Sequence, residues 1–254
     1  YDASVINDKI ETYSLNFPMD TFCVIIVTLD DYIELSSSHS PKAIDILILS
    51  IVNIVSEIIK TEGGYGVSAI ISPDRLASII NLDQPSKIMQ ISQKIRDMVN
   101  LCLKYSITIG IGRTVNSLTH ISMSYNDAVM ALNYKIYHGK NSIISIAEKN
   151  GQSGQNFIYP VEMEHQLMQQ LHTGDMDKLT NTLDNLCAYA YTLNHNMVRQ
   201  LFIQLLSTLI KNVYELGLDA GIFGITDGSI FSSFYMLDNI GDFKQWFLEL
   251  CNKI

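Results

Sequence analysis

Phe22 to Leu29 reads FCVIIVTL, an uncharged run rich in β-branched residues. Such a run suits a central strand buried on both faces. Outward from it, Pro41 to Thr61 has helical spacing. Ser40 stands where a cap belongs, Pro41 suits the first turn, and Gly63 and Gly64 follow the end. Gly66 to Leu82 holds two short apolar segments around Ser72-Pro73-Asp74, a turn signal that predicts a β-hairpin. Ser86 to Lys104 has apolar residues at helical intervals, including Ile88, Ile91, Ile95 and Val99. Ser106 to Gly112 (SITIGIG) reads as a strand whose glycines allow a bend. A helix is expected from Ser117 to about His138, and Ile143 and Ile144 suit a short last strand. The order β-α-β-β-α-β-α-β predicts an α+β fold, a sheet covered by helices.

The pattern changes after Lys149. Asn150 to Asn156 (NGQSGQN) is polar and glycine-bearing, as a linker would be. Beyond it only helical periodicity remains: Pro160 to His172, Met176 to Leu193, Asn194 to Leu216, Phe231 to Leu237 and Asp242 to Ile254, with Gly217 to Ser229 as a loop. The expected division is an α+β domain over 1–149 and an all-α bundle over 157–254. Tyr1 in place of a methionine, and a last helix without a stop signal, imply a segment of a longer protein.

Composition narrows the function. Seventeen Lys and Arg face 26 Asp and Glu, a formal charge of -9. That balance argues against this segment gripping DNA or RNA, because a basic footprint is what releases phosphate counterions. The apolar run from Ile44 to Ile59 is interrupted by Asp45, Asn53 and Glu57 and is too short to cross a bilayer, so no membrane contact is expected. No signal peptide is visible. Cys23, Cys102, Cys187 and Cys251 lie far apart in apolar contexts and fit no metal spacing. They read as structural thiols of a reducing cytoplasm. The six histidines form no HxxxH or HExxH pair, so neither a metal nor a cofactor is expected.

Several residues together carry a resemblance. Ile107 to Arg113 (ITIGIGR), Ser124-Tyr125, Ala128, Ala131-Leu132, Tyr134 and Gly139 resemble the GGDEF-like domain of AraC-type transcription regulators, some of which carry a two-component receiver domain. Tyr159-Pro160, Glu164, Leu167, Gly174-Asp175 and Trp246-Phe247 extend the likeness into the helical half. The resemblance implies a nucleotidyl-cyclase-like α/β sandwich followed by a helical region. It also implies DNA contact only through helix-turn-helix motifs outside this chain. Active diguanylate cyclases resemble this fold but carry a Gly-Gly-Asp/Glu-Glu-Phe turn on the central hairpin. Here Ser72-Pro73-Asp74 stands in its place, and Pro73 removes a backbone donor. Gly63-Gly64-Tyr65 lacks an adjacent acid and reads as a helix C-cap. Asp30 and Asp31 end the first strand where a cyclase has its other metal acid. With Asp74 they form a vestigial site, too poor in converging acids for two ions and a triphosphate.

The expected function is therefore non-catalytic: a signal-relay and dimerisation region of an AraC-family regulator. The alternative is a direct small-molecule sensor binding its effector at the domain interface. The aromatic residues of the second half motivate the alternative, and Arg199, beside the apolar stripe of the long helix, is the candidate clamp for an anionic ligand. The exposed face of Asn194 to Leu216 is a candidate homodimer surface.

Overall fold

The computed structural model describes residues 3–149 and 157–254. The expected linker, Asn150 to Asn156, lies outside the described residues. The chain divides into two units, Tyr1–Asn150 and Gly151–Ile254.

The first unit is a five-stranded sheet in the order β2-β3-β1-β4-β5. β1 (Thr21–Leu29) is central and antiparallel to both β3 (Arg75–Leu82) and β4 (Ile107–Ile111). β2 (Tyr65–Ser72) is the edge strand of the β2–β3 hairpin, and β5 (Ile143–Ser145) runs parallel to β4. The FCVIIVTL run is buried throughout because alternate residues serve opposite faces. Cys23, Ile25, Val27 and Leu29 pack into the larger core with α3 (Pro41–Thr61) and α4 (Lys87–Leu103). Val24 and Ile26 pack on the other face against α5 (Ile121–Asn133) through Ala128. This is the nucleotidyl-cyclase-like α/β arrangement, a sheet between helical layers.

Local signals explain the boundaries. The Ser40 side chain caps α3 by accepting from Ala43 N. Gly63 ends it with φ +75°, Gly63 N bonding Lys60 O and Gly64 N bonding Ile59 O, a Schellman closure that only glycine adopts without strain. The hairpin turns through Pro73-Asp74, with Ser72 opposite Arg75. Two expectations need correction. The single helix from Ser117 to His138 is a 3-10 turn (Leu118–His120), then α5, then α6 (Lys135–His138), broken at Tyr134. Two helices were also missed: α1 (Ala3–Thr12) and α2 (Tyr32–Ser38). Both are short, and none of the α2 residues is buried, so no apolar stripe announced it.

The second unit is helical: α7 (Val161–Thr173), α8 (Met176–Ala190), α9 (His195–Glu215), α10 (Ser229–Tyr235) and α11 (Ile240–Cys251). Gly174 closes α7 in the left-handed region, and Asp175 caps α8 by accepting from Lys178 N at 3.1 Å. Asn194 and Asn239 cap α9 and α11 in the same way. Phe202 of α9 stacks on Phe243 of α11, ring centroids 3.7 Å apart, and Phe247 adjoins Phe243. These three aromatics are core residues. No described helix is long and apolar enough to cross a membrane.

Candidate functional site

The carboxyl end of β1 is where the sequence places candidate acids. Asp30 follows directly on the strand and its side chain is fully buried. An isolated buried carboxylate is costly, so its donors matter. Oδ1 accepts from Thr108 Oγ1 at 2.8 Å and faces Lys135 Nζ at 2.7 Å; Oδ2 accepts from Asn141 N at 2.9 Å. Asp31 starts α2 in the left-handed region, φ 56°, and pairs with Lys140 Nζ at 2.5 Å. Both oxygens of Asp30 are thus engaged, and both acids face an ammonium group.

Asp74 reaches the same end of the sheet through its main chain, its carbonyl accepting from Leu29 N at 2.8 Å. Its side chain closes on its own turn: Ser72 Oγ donates to Oδ1 at 2.6 Å and Arg75 Nε to Oδ2 at 3.2 Å. The fold brings Asp30, Asp31 and Asp74 to one place without converging their carboxylates. Among the described residues, no group of three or more His, Cys, Asp or Glu could hold a metal ion. The residues that sequence reasoning missed are Lys135, Lys140 and Asn141. Asn141 is 111 positions from Asp30, and no spacing rule links them.

A second cluster involves the ITIGIGR and Ser124 positions. A Cβ on Gly110 would lie 2.4 Å from Ala128 O, and one on Gly112 would lie 1.9 Å from Ser124 O. The two glycines serve close approach of α5 to β4, which corrects the expectation that they allow a bend. Ser124 Oγ accepts from Val24 N at 2.8 Å, and Cys23 Sγ lies 3.3 Å from Gly112 O. Burial pushes the Cys23 thiol up to about 12, partly offset by Ser124. Arg113 bonds the buried Asp127 of α5 through Nε and, at 3.1 Å, Nη2. These residues hold a helix to a strand and leave no reactive group at the surface.

The cysteine reading needs one correction. Cys23, Cys187 and Cys251 are buried, but Cys102 is exposed on α4. Burial raises Cys187 to about 11 and Cys251 to about 12.

In the helical unit, Arg199 is exposed on α9 and pairs with no acid among the described residues. It lies one turn after His195, whose imidazole is lowered by burial and then by the Arg199 charge. A polar seam joins α7 to α9: Glu164 accepts from Thr208 Oγ1 at 2.6 Å, and His172 Nε2 lies 2.7 Å from Asn212 Oδ1. Burial, and then Glu164, raise the Tyr159 hydroxyl above the ordinary tyrosine range. Gln170 Oε1 and Gln204 Oε1 are buried without a hydrogen-bond partner.

The model of the GGDEF-like domain family matches residues 4–134, just over half of the chain. A relative from Bacillus subtilis (strain 168), described as an uncharacterized HTH-type transcriptional regulator, YtdP, is 19% identical over 252 residues. The match covers 95% of this chain but 32% of that protein. Among solved structures, the active GGEEF domain of a diguanylate cyclase from Vibrio cholerae aligns with 56% of this chain and 90% of its own, at 9% identity and TM-score 0.42. The FimX GGDEF domain from Pseudomonas aeruginosa aligns with 56% of this chain and 93% of its own, at 14% identity and TM-score 0.40.

Proposed function

Because the chain belongs to the GGDEF-like domain family, we propose that it is a non-catalytic regulatory region of an AraC-type transcription regulator. One observation carries the reading. Asp30 and Asp31 face Lys135 and Lys140, so the end of β1 offers no net negative charge to a divalent cation. Phosphoryl transfer on a nucleotide needs metal ions to neutralise developing charge. Two lysines on the acids, with Asp74 closed on Ser72 and Arg75, suit a packing element instead of a catalyst. DNA contact would fall to another part of a longer protein, as the relative's description as an HTH-type regulator suggests. The relay itself is a shift between two conformations of the region, biased by an input that binds one of them better.

Calorimetry with GTP and with cyclic-di-GMP in Mg²⁺, beside an assay of GTP turnover, tests the proposal. We expect neither turnover nor Mg²⁺-dependent binding. Turnover that Lys135→Met accelerates, or that Asp30→Asn abolishes, would overturn it.

A second reading, direct effector sensing, is favoured by Gln170 and Gln204. Their buried amide oxygens lack donors, and a buried unpaired acceptor costs about 1–3 kcal/mol. A small molecule offering hydroxyl or amide N–H groups to either oxygen would satisfy it. A metabolite thermal-shift screen should then yield a hit that Gln204→Leu weakens. A hit indifferent to Gln204 and Gln170 would place the effector elsewhere.

A further inference from the structure

The two edge strands of the sheet differ. β5 is three residues long. β2 is eight, and it holds no charged residue and no proline. Among the described residues, the β2 main chain bonds only β3. In an antiparallel ladder alternate residues turn their N–H and C=O away from the partner strand. The outer side of β2 is therefore a row of unpaired donors and acceptors. Such edges are ordinarily blunted by shortness, charge, proline or a bulge. β5 is short. β2 has only a register shift between Ile70 and Ser72, and from Tyr65 to Ile70 its pairing with β3 is unbroken. Tyr65, Ile70 and Ile71 stand exposed along it.

We propose that the β2 edge binds an extended segment of another protein by strand addition. The edge itself sets the chemistry of its occupant. Only an extended backbone offers a matching row of N–H and C=O groups. Its side chains at alternate positions lie beside Tyr65 and Ile70, so β-branched residues suit them.

Charge sets the ends of the added strand. Tyr65 pairs with Asn81, which puts the exposed Asp83 just outside the start of β2. Thr21 pairs with Leu82, so the exposed Asp20 stands at the same end of the sheet. Neither acid forms an ion pair among the described residues. With the chain at -9, an uncharged strand flanked by Lys or Arg complements this edge, and a second copy of the acidic chain is the poorer fit. The inference goes beyond the regulatory reading and does not rest on it.

Amide exchange followed by NMR on the 254-residue chain is the test. The probe is a synthetic peptide of alternating valine and threonine with two lysines at each end. Alternate amides from Tyr65 to Ile70 should exchange fast in the free chain and slow by about tenfold or more with saturating peptide. The same peptide with glutamates for its lysines should bind about tenfold more weakly or worse. Of Ala69→Pro and Ile70→Pro, the one at the fast-exchanging amide should keep the circular dichroism spectrum and lose the peptide, because that amide does not serve the β3 ladder. Unchanged exchange in β2 would overturn the proposal, and so would protection confined to helices. Protection of β2 that grows with protein concentration in the absence of peptide would overturn it in favour of a second copy. A peptide indifferent to the exchange of lysine for glutamate would overturn the charge match. Nucleotide turnover plays no part in the readout, so this test and that of the regulatory proposal fail independently.

Discussion

The β4–α5 seam and the carboxyl end of β1 belong to one sheet but obey different constraints. At the seam the constraint is distance. Gly110 and Gly112 leave no room for a single carbon between β4 and the α5 backbone, and Ser124 then bonds the Val24 amide. At the strand end the constraint is charge. Asp30 is buried, and what it needs is a set of donors and a counter-ion, which Thr108, Asn141 and Lys135 supply. A gap of fixed width accepts few residue types, whereas a buried carboxylate can be satisfied by an ammonium group as well as by a metal ion. The helix–strand packing and the charge balance of the strand end therefore rest on separate residues.

The strand end offers the sharpest way to break this contrast. Lys135→Met leaves the Asp30 carboxylate buried without its counter-ion and should cost about 3–5 kcal/mol in urea denaturation. Adding Asp30→Asn should recover part of that loss, because the neutral amide needs no counter-ion. If Lys135→Met proves neutral, charge is not what governs this end. The seam should respond next. Gly112→Ala drives a Cβ into Ser124 O and should cost about 3 kcal/mol, with Gly110→Ala close behind. If both alanine variants are tolerated at wild-type stability, the close approach is not a constraint.

Smaller effects sharpen the comparison. Arg113→Ala strips the buried Asp127 of its guanidinium but leaves a half-exposed site that water can enter, so a smaller loss of stability than at Gly112 is expected in urea denaturation. Asp74→Ala removes a partly exposed local network and should change stability by less than about 1 kcal/mol. Thiol labelling of the native chain near pH 8 should modify Cys102 alone at a fast rate. Cys23, raised to about 12 by its burial in the seam, should react only on unfolding. Fast labelling of Cys23 would mean that the seam opens readily.

Much of the architecture was legible from residue order. Periodicity located all five strands and the long helices, because a buried strand and an amphipathic helix each impose a repeat on their own sequence. The helices α1 and α2 escaped because so short a segment need not repeat. The break at Tyr134 escaped because α5 and α6 both keep helical spacing. At the candidate site, Asp30, Asp31 and Asp74 could be named from their places at the end of a strand and on a hairpin turn. Their partners could not: Lys135, Lys140 and Asn141 are ordinary polar residues in sequence.

The sequence by itself determined the five strands, the long helices, their order and the absence of a Gly-Gly-Asp/Glu-Glu-Phe turn, since each of these is written in neighbouring residues. Only the tertiary structure decided what the acids of the strand end face, why Gly110 and Gly112 are glycines, and that β2 lies at the edge of the sheet. Those three depend on atoms that folding brings together from distant parts of the chain, and distances between such atoms leave no periodic trace along it.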